Sequence, residues 1–201
     1  MISVLLAEDQ AMVRGALVAL LELEGDIQVV ASVASGEEVV PAALSFRPAV
    51  ALLDIELSGM DGLRAAASLR KVLPSCRVLM LTTFGRVGYL RRAMAAGVSG
   101  FLLKDAPSAE LAHAIRRVMA GERVVDPGLA LTALSAGDNP LTFRERGVLA
   151  AAMDGASLAD IAAQLELSEG TVRNHVSLAI QKLGCRNRIE AARLAEKKGW
   201  L

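Results

Sequence analysis

From Met1 to Gly121, short apolar runs rich in Val, Ile and Leu alternate with segments whose apolar residues recur every three or four positions. The runs are Ile2 to Leu6, Ile27 to Val33, Val50 to Leu53, Val78 to Leu81 and Gly100 to Leu103. Runs this short and this apolar read as strands buried on both faces. Between them the spacing is helical, seen best in Val13, Ala16, Leu17, Leu20 and Leu21, and again in Leu111, Ala114, Ile115, Val118 and Met119. Strand and helix alternating five times predict an α/β unit, a parallel sheet with helices on both sides.

After Gly121 the periodicity lapses through Asp126-Pro127-Gly128 and Ala136-Gly137-Asp138-Asn139-Pro140, which reads as a linker over 122–139 carrying a short helix at Leu129 to Leu134. From 140 to 201 strand signals cease and helix starts follow one another. Thr142 with Glu145, Ser157 with Asp160, and Asn187 with Glu190 each set a capping side chain three residues ahead of an acid, and Ser168 can cap a further helix. Four short helices in this stretch predict a second, all-α domain.

At 201 residues, with 53% hydrophobic and 3% aromatic residues, the chain has material for two ordinary aliphatic cores. No apolar run approaches the roughly 18 to 20 residues of a membrane helix, and Met1-Ile2-Ser3-Val4 lacks a charged leader, so a cytoplasmic protein without membrane insertion is expected. Cys76 and Cys185 have no His or Cys at metal spacing, which argues against a zinc site or a disulfide framework. The formal net charge is +0, yet the charge is unevenly spread. From Ser168 onward seven basic residues (Arg173, Lys182, Arg186, Arg188, Arg193, Lys197, Lys198) face three acidic ones (Glu169, Glu190, Glu196). A small basic unit of this kind suits contact with nucleic-acid phosphates.

The chemistry-bearing residues of the first domain fall at strand ends. Glu8 and Asp9 follow the first strand, Asp54 the third, Thr82 ends the fourth and Lys104 the fifth. In an open parallel sheet these carboxyl ends form the ligand crevice. Three carboxylates converging there repel one another unless a hard cation lies among them, and oxygen ligands at a partly hydrated site suit Mg²⁺. An ammonium and a hydroxyl beside them are groups that stabilise phosphoryl oxygens.

With "AED" at Ala7 to Asp9, "LLDIELSGMDG" at Leu52 to Gly62, "LTTF" at Leu81 to Phe84 and "GFLLKD" at Gly100 to Asp105, the N-terminal part resembles the receiver domains of two-component response regulators. The resemblance implies a doubly wound, flavodoxin-like receiver of five parallel strands in the order 2-1-3-4-5, spanning 1–121. It also implies Asp54 as phosphoacceptor, with Glu8, Asp9, Asp54 and the Glu56 carbonyl as Mg²⁺ ligands and Lys104 on the phosphoryl group. Thr82 and Phe101 match the switch pair, in which the hydroxyl moves toward the phosphate and the ring turns inward behind it. Ser58 stands where receivers usually have Pro, and Asp105-Ala106-Pro107 where many have Pro directly after the Lys. A metal-dependent phosphatase on a similar sheet is disfavoured, because Asp54-Ile55-Glu56 lacks the second Asp of the usual Asp-x-Asp pair. The chain is thus expected to be a switch rather than an enzyme, with at most Mg²⁺-dependent self-phosphorylation and self-dephosphorylation.

Leu141 to Trp200 resembles the four-helix LuxR/NarL/FixJ helix-turn-helix domain. Independently, Val172, Val176, Ala179, Ile180 and Leu183 form one stripe of a helix and leave Arg173, Asn174, Ser177 and Gln181 opposite. The resemblance implies that this helix enters the DNA major groove. Arg173, Asn174 and Ser177 would approach base edges, His175 is a further candidate contact, and Thr171, Lys182 and Arg188 would meet phosphates. The strings "AEDQ", "LTTF", "GTVRN" and "EKKGW" look most like regulation of a membrane-lipid desaturase, although relatives with unrelated targets share them. The implied partners are a sensor histidine kinase, promoter half-sites of double-stranded DNA and, on phosphorylation, a second copy of the chain. The expected dimer face lies on the first and fifth helices and uses Leu111, Ile115 and Met119.

Overall fold

The computed structural model describes residues 1–83, 87–135, 139–153 and 155–201. Phe84 of the "LTTF" string and Ala136, Gly137 and Asp138 of the turn-rich stretch lie outside the described residues. The chain divides into two compact units, one built on the sheet and one entirely helical, with the main changeover between Ala130 and Leu131.

In the first unit strands β1 (Ile2–Ala7), β2 (Ile27–Val33), β3 (Val50–Asp54), β4 (Arg77–Thr82) and β5 (Gly100–Leu103) alternate with helices α1 (Ala11–Glu22), α2 (Gly36–Phe46), α3 (Gly62–Val72), α4 (Val87–Ala95) and α5 (Ser108–Met119). All paired strands are parallel, and the order is β2-β1-β3-β4-β5-β6. The sixth strand, β6 (Val124–Val125), lies in the stretch expected to be linker and pairs with Gly100 and Phe101 of β5. Two residues carry no readable periodicity, so the sequence could not announce it. Helix α6 (Pro127–Ser135) follows, two residues longer at its start than the predicted Leu129.

Every residue of β3 is buried, as a central strand covered on both faces requires. Helix α5 covers β4 and β5: Leu111, Ala112, Ala114, Ile115 and Val118 belong to one core cluster with Leu79, Leu81, Leu102 and Val124. This places two of the three residues expected at the dimer face, which was set on the first and fifth helices, in the core. Leu111 and Ile115 are 8% and 0% exposed, because the apolar stripe of α5 is needed to cover the sheet, and only Met119 of the three reaches the surface, at 40%. The exposed apolar side chains of this region are instead on α1, Met12 at 88% and Leu20 at 41%, with Leu23 just beyond it at 81%.

The helical unit comprises α7 (Phe143–Ala151), α8 (Leu158–Gln164), α9 (Glu169–Leu183) and α10 (Arg188–Lys198). Each starts at a side chain that accepts a backbone N–H: Thr142 from Glu145, Ser157 from Asp160, Ser168 from Thr171 and Asn187 from Glu190. Val172 and Val176 of α9 pack with Val148, Ala152 and Ile161, while Ala179 packs with Leu141, Leu149 and the alanines of α10. Ile180 and Leu183 are partly buried against these clusters, so the predicted stripe is the core side of α9. Gly199 ends α10 at φ +62, after which Trp200 folds back, its N–H donating to the Ala195 carbonyl and its ring against the core.

Candidate functional site

Four strand ends place the charged residues of the first unit together. Glu8 follows β1 and is 0% exposed, Asp54 closes β3 at 3%, and Thr82 closes β4 at 0%. Lys104, one residue past β5, reaches between the two carboxylates: its Nζ lies 2.7 Å from Asp54 Oδ2 and 2.5 Å from Glu8 Oε2. Burial opposes the lysine's charge, but the hydrogen bonds and charges of Asp54 and Glu8 outweigh it and hold its pKa above the ordinary value. Asp54 Oδ1 accepts the Glu56 N–H at 3.3 Å, and Glu8 Oε1 accepts the Gln10 N–H at 3.2 Å. Asp9 completes the group, since Glu8, Asp9 and Asp54 each offer an oxygen within 4.8 Å of the others. Three hard oxygen donors at this separation fit a divalent cation of the Mg²⁺ class.

The loops around this group hold one another. After Asp54 the chain turns back so closely that a Cβ on Gly62 would lie 1.8 Å from the Asp54 carbonyl oxygen, and the Gly62 N–H donates to the Ile55 carbonyl. Ser58, where a proline was the family expectation, pairs in a parallel bridge with Ser35, and its hydroxyl donates to the Ala34 carbonyl at 3.4 Å. A hydrogen-bonded tie between loops thus stands where ring stiffness would otherwise act. Pro107 occupies the N-cap position of α5, so displacement of the proline from its usual place still fixes the start of that helix. Phe101 is fully buried, opposite Met80 in the sheet.

In the helical unit Arg173, Asn174 and Ser177 are exposed on α9, and His175, Thr171 and Arg188 are half-buried. Thr171 Oγ1 lies 2.8 Å from Ser168 Oγ. Lys182 is engaged within the protein: its ammonium donates to both oxygens of Glu145, at 2.9 and 2.8 Å, and Glu145 is only 2% exposed. Burial would raise the Glu145 pKa, but Lys182 and the Thr142 N–H, 2.7 Å away, outweigh it and hold the carboxyl below the ordinary glutamate value.

Three residues of consequence escaped the sequence reading. Arg14 donates from Nη1 to the Glu8 carbonyl at 2.6 Å and toward that of Asp9 at 3.4 Å. A cation near the positive end of α1 is disfavoured by the helix dipole, and that was a readable signal. Glu145 was recognised only as a capping acid; its pairing with Lys182 spans 37 residues and has no local signature. Leu178, 47% exposed on α9, adds an apolar side chain to the exposed face that carries Asn174 and Ser177.

Residues 4–116 match the response regulator receiver domain family, and residues 139–195 match the bacterial regulatory proteins of the luxR family. The chain is 46% identical over 200 residues to the transcriptional regulatory protein DesR of Bacillus subtilis, covering 100% of this chain and 99% of that one. It is likewise 46% identical over 201 residues to the transcriptional regulatory protein YvfU of the same organism, with full coverage of both. Among solved structures, the response regulator ChrA of a heme-sensing two-component system is similar at a TM-score of 0.60 and 32% identity, over 100% of this chain and 98% of that one. Two family matches in tandem, joined by relatives aligned end to end, leave one conclusion: the chain belongs to the response regulators that join a receiver domain to a LuxR-type DNA-binding domain and regulate transcription.

Proposed function

We propose that Asp54 accepts a phosphoryl group from a sensor histidine kinase, in the cytoplasm, and that the phosphorylated chain pairs with a second copy to bind two promoter half-sites. The observation that carries this reading is the buried Asp54 carboxylate, gripped by Lys104 and within 4.8 Å of Glu8 and Asp9 at the crevice of the sheet. Glu8, Asp9, Asp54 and the Glu56 carbonyl would hold Mg²⁺. Bound there, the cation would offset the carboxylates and draw charge from the phosphoryl oxygens. One Asp54 oxygen attacks phosphorus as the P–N bond to the kinase histidine breaks, and the departing imidazole takes up a proton. Lys104, released from the oxygen that becomes part of the acyl phosphate, then pairs with the phosphoryl oxygens.

Arg173, Asn174 and Ser177 read base edges, and Thr171, Lys182 and Arg188 serve the backbone, with His175 at the margin of that contact. For the dimer, the exposed α1 residues Met12 and Leu20, with Leu23 and Met119, replace the buried Leu111 and Ile115 as the apolar contact. Labelling with acetyl phosphate tests the acceptor. Wild type should take up one base-labile, acid-stable label per chain, Asp54→Ala none, and Asp9→Ala far less; wild-type labelling of Asp54→Ala refutes the assignment.

A further inference from the structure

We propose that Arg14 is a positioning residue for the cation site, holding the backbone of Glu8 and Asp9 so that both carboxylates face Asp54. The inference rests on the Mg²⁺ reading above and concerns a residue outside the ligand set. Arg14 is placed on α1, yet its guanidinium reaches back to the loop that precedes the helix, with 2.6 Å to the Glu8 carbonyl and 3.4 Å to that of Asp9. It contacts carbonyl oxygens and leaves the carboxylates to other partners. A lysine in the same site, Lys104, does the opposite and binds carboxylates directly. Arg14 thereby fixes the direction of two consecutive acidic residues without competing for the oxygens a cation needs. Both contacts come from one nitrogen, Nη1, which the rigid planar guanidinium carries to the two carbonyls.

The neighbouring loop is held by a separate set of hydrogen bonds. Glu38 accepts the N–H groups of Ala34 and Ser35 and the Ser35 hydroxyl, at 3.1, 3.0 and 2.9 Å. Its carboxyl is held below the ordinary value chiefly by that hydroxyl and the Ala34 amide, and in smaller part by the charge of Arg14. Ser35 and Ala34 in turn meet Ser58 in the loop after Asp54. The loops following β2 and β3 are thus tied by contacts of their own, and Arg14, bound to the loop after β1, adds its charge beside them. Outer-shell groups that orient ligands typically affect metal affinity by tenfold or more.

Charge and position predict opposite signs, which makes the role testable. Removing a nearby positive charge should tighten Mg²⁺ binding, whereas loosening the ligand loop should weaken it. The full chain is titrated with Mg²⁺ and followed by its amide chemical shifts, in wild type, Arg14→Met, Arg14→Gln and Arg14→Lys, with thermal melting of each alongside. Arg14→Met should raise the Kd roughly tenfold. Arg14→Gln, equally uncharged but still a donor, should fall between Met and wild type. An unchanged Kd with a lowered melting temperature would overturn the proposal in favour of a merely structural brace, and a tighter Kd in both neutral variants would overturn it in favour of charge. If Arg14→Met does not fold, Arg14→Lys decides: it keeps the charge but loses the guanidinium nitrogen that meets the Glu8 carbonyl, so it should bind more weakly, and wild-type affinity there overturns the proposal. Wild type that does not titrate at all refutes the Mg²⁺ reading itself, an outcome distinct from unaffected variants.

Discussion

Replacing Lys182 with Met removes the ammonium that faces Glu145 while keeping most of the apolar stem. The Glu145 carboxylate, 3% exposed as a side chain, then stays in the core with the Thr142 N–H as its remaining partner. Breaking a fully buried ion pair from one side costs about 3–5 kcal/mol. Here the lysine is 34% exposed, so water already screens part of the attraction, and one hydrogen bond survives. A loss of about 2 kcal/mol follows, or roughly 8–16 °C for a domain of this size. Trp200 is the chain's single tryptophan and packs on the core of the helical unit, so its fluorescence reports this unit's melting within the full chain. The pH dependence is the sharper test. A carboxyl whose folded pKa is depressed contributes stability above its unfolded value, ordinarily near 4.5, and loses it as pH falls through the folded value. The variant should therefore trail wild type most at neutral pH, and the deficit should shrink as pH falls and close only below the depressed folded value, where Glu145 is protonated in both. A deficit that stays constant from pH 7 to pH 4 would refute the electrostatic account. The same variant also bears on DNA: if Lys182 leaves Glu145 to meet a phosphate, affinity falls equally on operator and scrambled duplex.

Gly147→Ala should raise the melting temperature read by Trp200, by the equivalent of about 0.5–1 kcal/mol, because a Cβ there meets nothing within 4 Å in the middle of α7; an unchanged or lower value contradicts this. Arg173→Ala should lose about 1–3 kcal/mol on the operator and far less on a scrambled duplex at the same salt, and equal losses would argue against base readout. Leu20→Glu should stay folded and phosphorylatable while failing to gain mass in sedentation-equilibrium runs with beryllofluoride, whereas Ile115→Asp should fail to fold; normal dimerisation of Leu20→Glu removes α1 from the interface.

The strands were legible because a doubly covered parallel sheet makes its strands apolar throughout, as in Val50 to Leu53, and each lies within a residue or two of its predicted bounds. The crevice was legible for a related reason. A single carboxylate after a strand is commonly a helix cap or loop residue, but Glu8, Asp9, Asp54, Thr82 and Lys104 at four strand ends stood out together. What the pattern could not divide was the α5 stripe. Leu111, Ile115 and Met119 are all apolar and share a helix face, but the first two pack on the core of the sheet and the third, at the last position of the helix, does not. Contacts between distant residues were also invisible, since neither Lys182 with Glu145 nor Arg14 with the Glu8 carbonyl leaves a mark on residue type alone.

The burial of Thr82 and Phe101 constrains how the site can signal. Both are 0% exposed, and they end or line adjacent strands whose neighbours Leu81 and Leu102 belong to the same core cluster as Leu111 and Ile115 of α5. A close-packed interior admits few intermediate arrangements, so the proposed displacement of Thr82 toward a phosphoryl group would have to be taken up by discrete repacking. Lys104 adds a reason for such a step. Its ammonium is shared by Asp54 and Glu8, and the proposed phosphorylation of Asp54 would exchange one of those partners for phosphoryl oxygens. The backbone N–H of Lys104 donates to the Thr82 carbonyl at 2.8 Å, so movement of the lysine and movement at the end of β4 are tied. The proposed route from acceptor to helix faces thus runs through β4 and β5 into α5, and α1, which shares that core through Leu17 and Leu21, carries the exposed residues on which a second copy would register the change.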